Sequence, residues 1–197
     1  MIIDGGEVRD SVIAGNEAKN SSWSKVYAQE SMSASGVLIY SGKLVNCTVV
    51  GNSCNQPEGG GVYFLGCKAN AKLLLVNDII ADNRASASVA NLLCQKGFLD
   101  ADRSYACLVP GDSGSKSYEG VTVLRDKSVV ATLAAHGFSS AAPAFKNAAK
   151  GNYLPAEGSA AVGKGVAYTG IGMDLEGKSF AAPPSIATIT VSPMRIS

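Results

Sequence analysis

The chain has 197 residues, of which 46% are apolar and 17% charged, enough for one core-bearing domain or a slice of a longer repetitive one. Lys and Arg number 17 against 16 Asp and Glu, so no net field steers nucleic acid or an anionic membrane. No apolar run approaches the roughly 18 to 20 residues that span a bilayer, and the opening stretch MIIDGGEVRD has neither the basic nor the apolar region of a signal peptide.

Five cysteines (Cys47, Cys54, Cys67, Cys94, Cys107) form no CxxC pair, and an odd number argues against a complete disulfide framework. They read as small buried hydrophobes. With a single histidine no metal-ligand spacing arises, so neither metal nor cofactor is expected.

Taken in chain order, residues 1–20 form a first partial unit containing DSVIAGNE (10–17). A polar stretch at about 20–35, with Trp23 and Tyr27, interrupts it. Residues 36–56 and 60–86 hold the best-formed units, where the same pattern returns as NCTVVGNS (46–53) and NDIIADNR (77–84). The three copies align in columns: Asp10, Asn46 and Asn77; Val12, Thr48 and Ile79; Ile13, Val49 and Ile80; Gly15, Gly51 and Asp82; Asn16, Asn52 and Asn83. The separations along the last column are 36 and 31 residues, a constant unit with loops of varying length.

Val, Ile and Thr dominate each copy and Gly or Asn ends it, the pattern of a strand stopped by a turn. A second strand precedes each later copy: GVLIY (36–40) before KLVNCTVV, and GVYFL (61–65) before KLLLVNDII. Each unit therefore reads as strand, turn, strand, turn, loop. One unit cannot bury its own apolar side, whereas stacked copies can. Asparagine at a repeated corner can donate and accept along such a stack and tolerates left-handed backbone. Asn46, Asn77, Asn16, Asn52 and Asn83 are accordingly read as a structural ladder.

SVANLLC (88–94) and SYACLVPG (104–111) read as degenerate strands that complete a first region, 1–111. Residues 112–142, with VTVLRD and SVVATLAAHGF, read as an irregular or partly helical insertion. The remainder, 143–197, reads as a closing coil and cap, with the alternating SIATITVS (185–192) as a lid over the last coil.

These repeats resemble the coils of right-handed parallel β-helix proteins of the pectin-lyase-like class, especially bacterial extracellular ones. APAFKNAAKGNYLPAEGSAAVGKGV (142–166) resembles their closing segment, through Pro143 and Phe145, then Gly151 to Leu154, then Ser159, Ala161 and Gly163; DLEGKSF (174–180) resembles the turn that follows. Ala142 and Ala160 stand where that segment has Asp and Pro. The resemblance implies an all-β fold, a single-stranded parallel solenoid with a C-terminal cap. It also implies an extracellular or cell-surface location and polysaccharide as a partner. Because the chain starts inside a repeat, a truncated piece of a longer protein, or a chain whose first edge meets missing N-terminal coils or another chain, is expected.

Function is left with two readings. Many proteins of that class cleave acidic polysaccharides by elimination with Ca²⁺ and a basic residue, or by hydrolysis with paired carboxylates. The residues suited to such chemistry here are Asp78, Asp82 and Arg84, then Asp100, Asp102 and Arg103; the last two aspartates share a face if the strand is extended. The rival is carbohydrate binding on exposed aromatics, with Trp23, Tyr27 and Tyr63 as the platform and Tyr40 and Phe64 beside it. GDSGS (111–115) and LAAH (133–136) look like serine-protease phrases but stand in the wrong order on another architecture. The expectation is a non-catalytic structural or carbohydrate-interacting segment, with a polysaccharide lyase or glycoside hydrolase as the alternative.

Overall fold

Branched side chains favour extended backbone, and Asn, Asp and Gly admit the left-handed turns that break it. The computed structural model describes residues 1–18, 35–55, 60–64, 70–86, 88–94, 97–111, 126–168 and 185–186. In these residues the chain is mostly β, with parallel sheets. Its first turn supplies β1 (Ile2–Arg9), β2 (Val12–Ala14) and β3 (Glu17–Ala18). The second supplies β4 (Val37–Val45), β5 (Thr48–Val50) and β6 (Ser53–Cys54). The third supplies β7 (Val62–Phe64), β8 (Leu73–Val76), β9 (Ile79–Ala81) and β10 (Arg84–Ala85), and β11 (Ser88–Val89) and β12 (Leu92–Cys94) follow.

Equivalent strands of successive turns lie side by side. Val12 partners Thr48, which partners Ile79; Ala18 partners Cys54, which partners Ala85; Arg9 partners Val45, which partners Val76. Three sheets thus advance by the same steps of 36 and then 31 residues. A fourth turn continues them through parallel bridges from Leu73 to Leu99, Val76 to Tyr105 and Ile79 to Leu108, and Leu108 is bridged in turn to Ser139. Only β11, antiparallel to β10, runs against this order among these strands.

The second turn departs from the strand–turn–strand expectation. GVLIY and KLV join into one strand, β4, bent at Gly42. There φ is +131°, and an added Cβ would sit 2.7 Å from the Gly6 carbonyl oxygen, so only glycine lets the strand bend without leaving the ladder.

Two corners repeat from turn to turn in the left-handed region. Asp10, Asn46, Asn77, Ala106 and Gly137 hold φ between 48° and 83°, and Gly15, Gly51, Asp82 and Gly111 between 56° and 75°. Alternation along the strands sends Val37, Ile39, Leu44, Val49, Phe64, Leu75 and Ile80 into one core, each at most 1% exposed. Burial of each such side chain is worth about 1.5–3 kcal/mol.

The alternate residues form smaller clusters on the other face. Ile79, Ala81 and Leu108 are covered by Ala161 and Ile186, and Val45 and Val76 by Val166 and Tyr168. The described part of the closing segment, with β13 (Phe145–Asn147) antiparallel to β14 (Asn152–Pro155), therefore lies against the sides of the turns. Ile186 is all that is described of the expected lid strand beyond Ser185. Within 112–142, α1 (Lys127–Ala135) starts at Asp126, whose carboxylate accepts from the Ser128 and Val129 amides, and sends Leu133 into the main core. Among the described residues no helix is long and apolar enough to cross a membrane.

Candidate functional site

A left-handed residue turns the next amide along the stack instead of into its own sheet, and that amide needs an acceptor. At the corner formed by Gly15, Gly51 and Asp82 the acceptor is an asparagine of the following turn. The Asn16 amide donates to Asn52 Oδ1 (3.0 Å) and the Asn52 amide to Asn83 Oδ1 (3.0 Å). The side chains also bond to one another, Asn16 Nδ2 to Asn52 Oδ1 at 2.8 Å and Asn52 Nδ2 to Asn83 Oδ1 at 2.9 Å. Asn83 passes the pattern to Asn91, whose Oδ1 accepts from its amide (3.0 Å) and its Nδ2 (3.1 Å). Sequence reasoning missed Asn91, because it follows Asn83 by only eight residues, through the β10–β11 hairpin, and so stands outside the repeat spacing.

Asn46 and Asn77 occupy the other corner and play a different part. Asn46 Nδ2 donates to Asp10 Oδ1 (2.6 Å), whereas Asn77 exchanges two bonds with the Val166 backbone and ties on the closing segment. The acceptors for the turned amides here come one residue later, from Cys47, Asp78 and Cys107. The Ser11 backbone hydrogen-bonds the Cys47 thiol, the Cys47 amide donates to Asp78 Oδ1 (2.8 Å), and the Asp78 amide meets Cys107 Sγ (3.4 Å).

Asp78 Oδ2 accepts the Val76 amide at 3.0 Å. Burial pushes the Asp78 carboxyl well above the usual carboxylate range and raises the Cys47 and Cys107 thiols, with Asp78 itself adding to both. This corrects the expectation that Asp78 projects into a groove with Asp82 and Arg84: it is 0% exposed. The sequence carried only a positional signal, since Ser11, Cys47 and Asp78 each directly follow the column of Asp10, Asn46 and Asn77 but share no chemistry.

Two clefts carry the other candidates. One, of about 300 Å³, brings Lys43, Lys72, Asp100 and Arg103 from three successive turns over a floor that includes Gly6 and Gly42. Arg103 Nη1 lies 3.6 Å from Asp100 Oδ2, and Lys72 Nζ donates to the Gly97 carbonyl. Lys43 Nζ is 2.6 Å from Glu7 Oε2 and 6.0 Å from the Tyr168 ring centre. The bond to Glu7 raises the Lys43 ammonium above its ordinary value. Burial alone would push Glu7 up, but its bonds to Lys43 and Arg9 prevail and hold it low.

Asp102 does not share this cleft among the described residues. Residues 100–103 turn, with the Arg103 amide on the Asp100 carbonyl (3.3 Å), so the extended alternation expected of Asp100 and Asp102 does not apply. The second cleft, of about 320 Å³, is lined by Asp82, Arg84, Asn83, Asn91, Pro110 and Ala142.

The aromatic platform fares differently. Tyr63 is only 6% exposed, stacked between Leu38 and Leu93 with Tyr40 against them, and Phe64 is a core residue. Strand alternation decides this, since Tyr63 shares a register position with Leu38 and Leu93. Trp23 and Tyr27 lie outside the described residues, as does Ser113 of GDSGS. His136 stacks on Tyr105 with ring centres 4.6 Å apart, and its Nδ1 is 3.0 Å from the Ala101 carbonyl oxygen. No group of three His, Cys, Asp or Glu able to hold a metal occurs among the described residues.

Neither a protein-family model, nor a curated protein, nor a solved structure matches the chain.

Proposed function

We propose that the chain is a segment of a right-handed parallel β-helix of the pectin-lyase-like kind, from a secreted or surface-exposed bacterial protein. Its role in this reading is structural and carbohydrate-interacting. The architecture is supported by the common advance of 36 and 31 residues in three parallel sheets, with matching left-handed corners. The function rests on one observation: Lys43, Lys72 and Arg103, from successive turns, border a single cleft with one carboxylate, Asp100.

Lys43 partners Leu74, two residues past Lys72, so the three cations are staggered around the cleft and do not share one register position. Cations grouped in that way suit an acidic glycan, with carboxylates or sulfates paired to Arg103 and Lys72. Binding of uronate-rich, sulfated and neutral glycans by isothermal calorimetry tests this. Acidic glycans alone should bind, and Lys72→Ala or Arg103→Ala should each weaken binding about tenfold, the equivalent of about 1.4 kcal/mol. Equal binding by the variants, or a preference for neutral glycans, refutes the reading.

The same cleft favours a second reading, elimination on an acidic polysaccharide, because Arg103 and Lys72 stand beside Asp100. Chain scission with and without Ca²⁺, abolished in Arg103→Ala, would establish it. Hydrolysis by paired carboxylates draws no support, since Asp100 and Asp102 are set apart by their turn.

A further inference from the structure

The corner column of Cys47, Asp78 and Cys107 is used by neither reading, yet it places three ionisable side chains in one buried line across three turns. Asp78 is the middle member and the only one with a carboxyl. Its two oxygens join two turns: Oδ1 holds the Cys47 amide of the second turn and Oδ2 the Val76 amide of its own.

Among the described residues, the titratable groups facing it are Cys47, Cys107 and, beyond Cys47, Asp10 of the first turn, all of which become negative on ionising. Tyr168 of the closing segment lies on the outer face, where Lys43 is committed to it and to Glu7. Asp78 is fully buried, its oxygens take two backbone amides, and no cation is paired with it among the described residues. An ionised Asp78 would therefore be a buried charge with amide bonds but no counter-ion, a state proteins avoid by keeping the proton.

We propose that this column is a proton-operated joint: the stack closes on Asp78 as the neutral acid, and release of that proton to solvent loosens the second turn from the third. The sign follows from linkage. A carboxyl held above its unfolded value contributes stability that is full below the ordinary aspartate range, near 3.8. That stability drains away as pH rises through the folded value. Between the two, the unfolding constant rises about tenfold per pH unit for one proton. The asparagine corner, which cannot ionise, supplies an internal control.

The experiment uses the whole chain between about pH 5 and pH 8, above the ordinary range of Glu7 and below that of the thiols. The Asp78 carboxyl carbon, followed by NMR in the wild-type protein, should keep the shift of the neutral acid above the ordinary aspartate range. The protection factor of the Cys47 amide against hydrogen exchange should fall across this window while that of the Asn52 amide holds. Urea unfolding should show the tenfold slope in the wild type and its loss in Asp78→Asn. An Asp78 carbon that titrates at or below the ordinary range overturns the proposal, even if Asp78→Asn fails to fold. So does equal behaviour of the two amides.

Discussion

The two corners of each turn solve one problem with different chemistry. Both begin with a left-handed residue, both turn an amide along the stack, and both satisfy it with a side chain of the next turn. At the Asn16–Asn52–Asn83 corner every link has the same neutral donor and acceptor, so the pattern propagates without change. At the Cys47–Asp78–Cys107 corner a thiol and a carboxyl alternate, and the bonds become unequal. The Asp78 carboxyl takes its amide at 2.8 Å, whereas the Cys107 sulfur, a weak acceptor, meets its amide at 3.4 Å. Repetition of backbone therefore does not demand repetition of side-chain chemistry; it demands an acceptor at a fixed place.

Substitutions can break this comparison, and the largest effect is expected at the centre of the asparagine corner. Asn52→Leu takes the donor from the buried Ile13 carbonyl, one of two donors from Asn83 Oδ1 and the acceptor from Asn16, and should cost about 4 kcal/mol in urea unfolding, at about 1–3 kcal/mol for each buried partner lost. Next comes Gly61→Ala. Its Cβ would stand 2.3 Å from the Asn91 carbonyl oxygen and 2.8 Å from Asn83 Nδ2, so the strand must retreat from the ladder, at about 3 kcal/mol.

Asp78→Ala should cost about 2 kcal/mol at pH 5, where it removes a good acceptor from two amides, and less at pH 8. A pH-independent cost would erase the difference between the corners. Asn46→Ala tests the left-handed conformation, with φ at 56°, and should cost about 1–2 kcal/mol. Lys72→Ala should change stability by less than about 0.5 kcal/mol, because its side chain is exposed, while still weakening acidic-glycan binding.

The acid side of the molecule offers a contrast with Asp78. Glu7, held low by Lys43 and Arg9, contributes stability that is present above the ordinary carboxylate range and lost as pH falls. Lys43→Met should flatten the acid limb of a stability–pH curve and leave the alkaline limb in place.

The periodic part of this architecture was legible from residues alone. Val12, Thr48 and Ile79 share a column in the sequence and are partners in one sheet, because β-branched residues before a Gly or Asn specify both strand and stop. Asn16, Asn52 and Asn83 stand in one sequence column and bond along it, whereas Asn46 and Asn77, read into the same ladder, bond instead to Asp10 and to the Val166 backbone. Asn91 was not legible, because a hairpin, and not a full turn, delivers it. The Cys47–Asp78–Cys107 column was hidden for another reason: its members share a geometric role but no chemistry.

What the sequence determined by itself was the length of the turn, the places where the backbone goes left-handed, and the faces on which apolar residues alternate. These are local properties of φ and of side-chain period. Only the tertiary structure decided that Tyr63 is buried while Lys43, Lys72 and Arg103 border one cleft. It alone placed Asp78 inside and Asp82 at the surface, four residues apart. Burial and charge environment are sums over neighbours from other turns, and no single stretch of chain contains that information.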